Sequence, residues 1–237
     1  MRSKPMPSAI SLPQPSQAAA SFNAPAGSIH GSAHFAGCPE LIGTPFSYTR
    51  EEEVYGEGEE AEFVYKVLEG AVRTYKVLSD GRRQITGFHL RGDLFGFEQG
   101  ETHRHTAEAL SDTKVLIFKR RQIERAATDR AEVACQLWSM ATNNLRHAQD
   151  HMLLLGRRSA TERVASFLME VDERLGGTGT FALPMTRRDI ADYLGLTIET
   201  VSRSITQLEG DGALQRSSIG SRQVSLRRGR MRRAVED

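Results

Sequence analysis

The sequence predicts an α+β fold with a strand-rich N-terminal part, one long helix and a C-terminal helix-turn-helix. Short alternating apolar segments with turn residues between them run from about residue 54 to 119. A helical apolar period follows at 131–155, and two short helices joined by a glycine turn fit 186–208. We place the boundaries at 1–28 for a tail, 29–130 for the strand-rich domain, 131–156 for the long helix and 157–237 for the helix-turn-helix domain.

Composition and charge limit the possible classes of protein. The 237 residues, 39% hydrophobic and 26% charged, suit one large or two small soluble domains. The net charge of +1 excludes a polycation. From residue 157 onward, however, 14 arginines stand against 11 acidic residues, whereas the preceding part has 17 basic and 19 acidic residues. Affinity for nucleic acid is therefore expected in the C-terminal part.

Cysteine content and hydropathy indicate a cytoplasmic protein. Cys38 and Cys135, the two cysteines of the chain, cannot form a disulfide framework or a four-cysteine iron–sulfur site. No run of about 18 apolar residues predicts a membrane span. Arg2 and Lys4 are not followed by the apolar segment of a signal peptide. Residues 1–28, rich in Pro, Ala, Ser and Gln, are predicted to form a disordered tail.

The strand-rich part has the spacing of an antiparallel sheet. Apolar residues alternate within 63–67 and again within 72–77, and 85–90 and 115–118 form two further strands. Glu69-Gly70 and Ser79-Asp80-Gly81 are turn signals between them. Many short strands with regular turns predict a barrel or a roll.

The long helix has two apolar stripes, each stepping by four and three residues. A helix of this kind is either deeply buried or packed on its own domain with one face and on a second copy with the other. The sequence alone does not decide which stripe lies between two copies, although the first is our candidate. The first stripe is Ala134, Trp138, Ala141, Leu145, Ala148, Met152 and Leu155. The second is Val133, Leu137, Met140, Asn144, His147, His151 and Leu154.

His147 and His151, at i and i+4 on the second stripe, have a spacing that can bind a metal. We favour polar positions within a dimer seam over a metal site. His30, His34 and Cys38 also recur every four residues, but neighbouring glycines and a proline argue against the helix that would align them. No metal site is expected.

Capping residues mark three helices in the C-terminal part. Ser159 and Glu162 form a capping-box pattern before the first helix. Thr186 and Asp189 form a variant of that pattern, and Gly195 ends the helix that they begin. Thr197 caps the next helix. The apolar stripe of this last helix is Ile198, Val201, Ile205 and Leu208.

Another face of this last helix has the chemistry for reading base pairs in a major groove. At about 100° per residue, Glu199, Ser202, Arg203 and Thr206 lie well away from the apolar stripe. Arg203 can donate two hydrogen bonds to guanine, and Glu199 can accept one from cytosine N4. The alternative for Glu199 is a first-turn acid that favours the helix dipole. Its position beside Ser202 and Arg203 favours base recognition.

A β-hairpin wing is expected after Leu208, with strands at 213–216 and 223–227. Hydroxyl and guanidinium groups around the helix-turn-helix could contact phosphates, and a solvated basic surface is the alternative for each. The same interpretation covers Arg227, Arg228 and a basic tail at Arg230–Arg233. The principal candidates for backbone contacts are Thr186, Arg187, Thr197, Thr200, Thr206, Arg216 and Arg222.

The segment Glu199-Thr200-Val201-Ser202-Arg203 resembles the E-x-x-S-R signature of the FNR and FixK branch of the CRP/FNR family of bacterial transcription factors. The resemblance implies that Glu199, Ser202 and Arg203 read a half-site of the TTGAT type. It also implies that the long helix is the dimerisation helix of the family. Ser204 departs from the motif, which usually has an aliphatic residue there.

The strand-rich part resembles the cyclic-nucleotide-binding β-roll of the same family. The resemblance rests on the spacing of Tyr65, Val67, Gly70 and Val72, followed by Gly81-Arg82 and Gly92-Asp93-Leu94-Phe95-Gly96. Cyclic-AMP binders continue with a G-E-L element and an Arg-Ser/Thr-Ala run. Here Phe97 and Glu98 follow Gly96, and Arg104 stands one place early. We expect a roll that has lost the nucleotide and needs no cofactor, with His103 and His105 as surface histidines.

The resemblance implies a FixK-like regulator with a β-roll, a dimerisation helix and a winged helix-turn-helix. Such a regulator is a homodimer that binds an inverted repeat in double-stranded DNA, contacts RNA polymerase and activates genes for low-oxygen respiration, denitrification or nitrogen fixation. The alternative is an effector-dependent sensor that needs a small ligand in the roll. An enzyme is not expected, because no motif joins a nucleophile to a base.

Overall fold

The computed structural model describes residues 34–35, 38–156, 159–216 and 222–236, so the predicted tail at 1–28 and His30 lie outside the described residues. The α+β architecture is confirmed, with a β-roll, a long helix and a winged helix-turn-helix in that order. The strands of the roll are β1 His34–Phe35, β2 Cys38–Ile42, β3 Thr44–Tyr48, β4 Glu53–Tyr55, β5 Phe63–Glu69, β6 Val72–Val77, β7 Arg83–His89, β8 Leu94–Phe95, β9 Thr106–Ala109 and β10 Thr113–Lys119.

Two four-stranded antiparallel sheets form most of the roll, and β1 and β2 pair with each other in a separate two-stranded sheet. The strand orders of the four-stranded sheets are β3-β10-β5-β8 and β4-β9-β6-β7. Gly70 (φ +81°) and Gly81 (φ +81°) have left-handed backbones in the turns after β5 and β6, a conformation that favours glycine. On β5, Tyr65 and Val67 are buried on one face of the strand, together with Val72 of β6, and Val64 is buried on the other face. The four strands predicted between residues 63 and 118 are thus confirmed, whereas the shorter β8 and β9 were not predicted.

Two helices follow the roll. Helix α1 spans Arg120–Asp129, was not predicted, and buries Ile123. Helix α2 spans Ala131–Leu155, as predicted. Val133 is buried in a cluster with residues of the roll, and Leu137 and Met140 pack against the same cluster. The apolar residues of the second stripe, which also include Leu154 in another buried cluster, therefore pack on their own chain.

The residues of the first stripe of α2 are exposed. Trp138, Leu145 and Met152 are 73%, 58% and 69% exposed. Large apolar side chains that are exposed to solvent at regular helical spacing indicate an interaction surface.

His147 and His151 have neighbours on their own chain. The His151 ring stacks on Tyr193, with 4.0 Å between ring centroids. His147 is exposed, and its Nδ1 lies 3.9 Å from Glu170 Oε1. Their interpretation as polar positions of a dimer seam stays a prediction. Among the described residues, no group of three or more His, Cys, Asp or Glu side chains could hold a metal ion.

From residue 159 onward, the described residues form four helices and a three-stranded sheet. The sheet has the order β11-β13-β12 and contains both strands of the predicted wing, whereas residues 217–221 between them lie outside the described residues. The segment Arg230–Arg233 lies in helix α6, which buries Met231, and not in a tail. The elements are α3 Ala160–Arg174, β11 Thr180–Ala182, α4 Arg187–Leu194, α5 Ile198–Gly210, β12 Leu214–Arg216, β13 Gln223–Leu226 and α6 Arg228–Glu236.

A single apolar cluster joins the roll to the C-terminal helices. Phe88 of β7 packs with Phe167 of α3 and Tyr193 of α4, with 5.9 and 5.0 Å between ring centroids. None of the helices in the part of the chain that the structure describes has the length and apolar character needed to span a bilayer.

Candidate nucleic-acid interface

Helices α4 and α5 form the predicted helix-turn-helix. The Thr186 side chain accepts a hydrogen bond from Asp189 N (3.2 Å), and Asp189 Oδ2 accepts one from Thr186 N (2.8 Å), so the capping box is confirmed. Gly195 ends α4 with a left-handed backbone (φ +62°). Thr197 caps α5 by accepting from Thr200 N (3.2 Å). Local sequence thus fixes the ends of both helices and the turn between them.

The inward face of α5 is built much as predicted. Val201, Ile205 and Leu208 are buried, but Ile198 is 37% exposed, so its place in the apolar stripe is wrong. Ile198 lies in the first turn, where the helix has not yet reached the core. Ser204 is buried, and its hydroxyl lies 3.4 Å from that of Thr161 on α3. A hydrogen bond therefore takes the place of the usual aliphatic contact.

The other face of α5, formed by Glu199, Ser202, Arg203 and Thr206, is called the reading face below. Glu199, Arg203 and Thr206 are exposed, and Ser202 is half-buried. Their hydrogen bonds are local, such as Arg203 Nη2 to Thr200 Oγ1 (3.4 Å) and Thr206 Oγ1 to Ser202 O (3.1 Å). Arg187 Nη1 of α4 donates to Ser202 Oγ (3.2 Å). A groove-binding ligand can replace contacts of this kind.

Glu199 remains an ionised acceptor at neutral pH. Its own backbone N–H at the start of α5, and then the Thr197 hydroxyl, hold the pKa of the carboxyl below its usual value. Arg188 and Arg203 contribute in the same direction. The reading face therefore presents a carboxylate beside the guanidinium of Arg203.

The candidates for contacts with the DNA backbone differ in exposure and in their hydrogen bonds. Thr197 and Thr206 are exposed, and Thr186 and Thr200 are half-buried at the starts of α4 and α5. Arg216 is paired with Glu209, with 2.9 Å from Nη2 to Oε2. Arg222 Nη1 donates to Pro184 O (3.0 Å). The two wing arginines are thus engaged within the domain.

Arginines of α6 hold the domain together. Arg228 Nε donates to the buried Asp172 carboxylate of α3 (2.9 Å). Arg230 Nη1 donates to Asp211 O (2.7 Å). The basic composition of this segment therefore serves folding contacts at these two positions.

The structure adds two arginines of the roll that the sequence did not identify. Arg73 Nη1 on β6 donates to Asp189 Oδ1 (2.6 Å), and Arg83 Nη2 on β7 donates to the same oxygen (2.9 Å). Arg83 Nε also donates to Asp192 Oδ2 (2.9 Å). We call these four residues the roll contact. An arginine on a β-strand carries no sequence signal for a partner on a distant helix.

The segment after Gly96, which resembles the phosphate-binding part of cyclic-nucleotide rolls, contains an ion pair between Glu98 and Arg104. Glu98 accepts from Arg104 N (3.1 Å) and Arg104 Nε (2.9 Å). His103 is 2% exposed and stacks on Tyr55, with 3.6 Å between centroids, so its interpretation as a surface histidine is wrong. Burial lowers its pKa. His105 is half-buried, which is also more than predicted.

Two family models match this chain. A cyclic nucleotide-binding domain matches residues 45–130, and a Crp-like helix-turn-helix domain matches residues 162–233. Both matches fall on the parts that the sequence assigned to these folds.

Curated relatives and solved structures share this architecture. The nitrogen fixation regulation protein FixK of Azorhizobium caulinodans is 47% identical over 191 residues, covering 78% of this chain and 76% of the relative. The transcriptional activatory protein AadR of Rhodopseudomonas palustris is 47% identical over 174 residues, covering 72% and 73%. The structure of FixK2 from Bradyrhizobium japonicum is 57% identical with a TM-score of 0.77, covering 82% of this chain and 98% of that one.

Proposed function

Because this chain belongs to the CRP/FNR family of transcription regulators and is FixK-like, we propose that it activates genes for low-oxygen respiration, denitrification or nitrogen fixation. It binds specific DNA sequences as a homodimer and acts as a regulator, not as an enzyme. The observation that carries the proposal is the reading face, which places a carboxylate, a hydroxyl and a guanidinium on the exposed side of a capped second helix.

The reading face recognises a half-site of the TTGAT type. Arg203 donates both arms of its guanidinium to guanine O6 and N7, and Glu199 accepts from cytosine N4. Mere affinity for DNA does not require Glu199, because phosphates repel a carboxylate. Ser202 reads the neighbouring base after exchanging its hydrogen bond with Arg187. These three assignments rest on exposure and on the residue types of the signature.

Contacts with the DNA backbone surround the reading face. Thr186 and Arg187 begin α4, and Thr197 and Thr200 begin α5, where backbone N–H groups and the helix dipole favour phosphate. Thr206 lies one turn beyond Ser202. Arg216 and Arg222 reach phosphates only by leaving their partners Glu209 and Pro184. Such contacts add affinity and salt dependence without sequence choice.

Two copies associate through the first stripe of α2. The second stripe packs on the roll of its own chain, which leaves Trp138, Leu145 and Met152 for the partner. Parallel pairing of two such helices gives a two-fold axis, and each recognition helix then enters one half of an inverted repeat. The dimer contacts RNA polymerase in the bacterial cytoplasm and activates transcription there.

Cyclic AMP is not required for this activity. The Glu98–Arg104 pair occupies the segment that follows Gly96, and a carboxylate at this position disfavours a phosphate. No other cofactor is part of the proposal.

A specific cavity favours a second candidate, an effector-dependent sensor. A space of about 670 Å³ lies between β7, α2, α3 and α4. A ligand here could change the position of the helix-turn-helix, provided that it has different affinity for the two states. Polar side chains of its lining include His89, Asn144, His147, His151, Glu170 and Arg174.

Selection of DNA from a random pool, with purified protein and no added ligand, tests the proposal. We expect a TTGAT-type inverted repeat. The variant Glu199→Ala/Arg203→Ala is the control, and it should not enrich this repeat. Salt-sensitive binding without sequence preference by the unaltered protein would contradict the ligand-independent function and favour the sensor.

A further inference from the structure

Asp189 connects the DNA-binding domain to the roll at one buried point. Its side chain is 1% exposed. Oδ2 belongs to the capping box of α4, with Thr186 N at 2.8 Å and Thr186 Oγ1 at 2.6 Å. Oδ1 accepts from Arg73 Nη1 at 2.6 Å and from Arg83 Nη2 at 2.9 Å. One carboxylate therefore fixes both the start of α4 and its position on β6 and β7.

Further groups restrain α4 in rotation as well as in distance. Asp192, three residues later on the same side of α4, accepts from Arg83 Nε at 2.9 Å. Its backbone carbonyl accepts from Gln84 Nε2 at 2.8 Å. Arg73 is also paired with Glu108 on β9, and the Arg83 guanidinium lies 5.5 Å from the centre of the Tyr75 ring. Planar guanidinium groups with two or more fixed partners define an orientation, which a single point charge does not.

The burial of these charges favours a role in orientation. Removing charges from water offsets much of their mutual attraction, so a buried ion pair contributes little net stability but penalises any arrangement that leaves one partner alone. The two arginines pair with three carboxylates, those of Asp189, Asp192 and Glu108. A rotation of α4 on the roll would leave at least one of them without its partner.

The reading face stays open in this docked arrangement. Glu199, Arg203 and Thr206 are exposed while the roll contact is formed. The contact is therefore compatible with DNA binding and does not cover the groove-binding surface.

We propose that Arg73 and Arg83 are positioning residues that set the half-site spacing at which the dimer binds DNA. The inference rests on the proposed function, because it requires a dimer on an inverted repeat. The second stripe of α2 packs on the roll, and the roll contact joins the roll to α4. Through these two contacts the dimer axis determines the direction of each recognition helix. Half-site spacing is the geometric consequence of that direction.

The test uses the full chain and a set of duplexes. They carry the inverted repeat obtained by selection, with the spacer between half-sites unchanged or altered by one or two base pairs, together with one duplex that has a single half-site. The variants are Arg73→Gln/Arg83→Gln and the milder Asp192→Asn, which keeps the shape of the side chain. Arg82→Gln is the matched control, because Arg82 is 78% exposed and pairs with Asp80 in the adjacent turn.

We expect the double variant to lose discrimination between the best spacing and the next by about fivefold or more, a typical size for coupling between sites. Its affinity for the single half-site should stay unchanged, and Asp192→Asn should show a smaller loss in the same direction. Arg82→Gln should keep the wild-type profile. Asp192→Asn also provides the measurement if the double variant does not fold.

Four results would overturn the inference. Equal loss on every duplex, including the single half-site, would mean a merely structural role. Increased affinity on every duplex would mean that the contact restrains an inactive state. A wild-type protein without spacing preference would remove the proposed function and the inference together, whereas a preference that both variants retain would remove the inference alone.

Discussion

The reading face of α5 and the roll contact of α4 use similar side chains in opposite ways. On the reading face, Glu199 and Arg203 are exposed, and the Arg203 guanidinium donates a long hydrogen bond of 3.4 Å to the Thr200 hydroxyl. In the roll contact, Asp189 is buried and accepts two charge-assisted hydrogen bonds of 2.6 and 2.9 Å. Exposed polar groups are available to an incoming partner, whereas buried ones are already satisfied and fix geometry. Substitutions on the reading face should alter which DNA sequence is bound. Substitutions in the roll contact should alter the preferred spacing between the two half-sites.

The largest effect is expected from a substitution that removes the dimer on which both regions depend. Leu145→Glu places a charge at an exposed position of the first stripe, and desolvating it between two helices is unfavourable. Affinity for the inverted repeat should fall by roughly 10²–10⁴-fold, because the second half-site no longer benefits from a linked partner. Light scattering would measure the loss of the dimer, and DNA titration would measure the loss of affinity.

Ser139→Glu is the control for this substitution. Ser139 is exposed on α2, lies outside both stripes and donates to Cys135 O (2.9 Å). The Ser139→Glu variant should remain a dimer and bind DNA with nearly wild-type affinity. A dimer that persists in Leu145→Glu would show that this stripe is not the seam.

A smaller and more local effect is expected at the reading face. Arg203→Ala should cost about 1–3 kcal/mol at one base pair of each half-site, because the two hydrogen bonds to guanine are lost. Binding to a set of single-base variants of the half-site would show relaxed choice at that position. Arg232→Ala, an exposed arginine of α6, is the control and should preserve the base preference. Uniform weakening across all sequences would refute base recognition by Arg203.

The same comparison explains how much could be predicted from the sequence. The reading face belongs to a local motif, in which caps, a glycine turn and a helical period lie within about 20 residues. The roll contact pairs Arg73 with Asp189, which are 116 positions apart. The local pattern predicts that Asp189 caps a helix, and its Oδ2 does so. The pattern does not predict the partners of Oδ1, which are the two arginines that tertiary packing brings close to it.

Other errors have similar physical causes. Helix α6 has one fully buried apolar residue, Met231, among its arginines, so composition indicated a basic tail. His103 was expected at the surface because polar residues surround it in the sequence, yet stacking on Tyr55 buries it. The two stripes of α2 have the same period, so the sequence could not predict that residues of the second one pack against Val64, Leu116 and their neighbours on the roll.

The smallest expected effect concerns the roll, and it tests whether the region far from the reading face responds to a nucleotide. About 1 mM cyclic AMP, enough to reveal even weak binding, should give no saturable heat in calorimetry and no change in DNA affinity. The Glu98 carboxylate should repel a phosphate that approaches it, and Arg104 already donates to it at 2.9 Å. Titration of the same sample with the inverted repeat is the positive control, because it must produce heat if the protein is competent. A saturable signal with the nucleotide would mean that the Glu98–Arg104 pair opens, and the roll would then be a sensor that acts on the reading face through the roll contact.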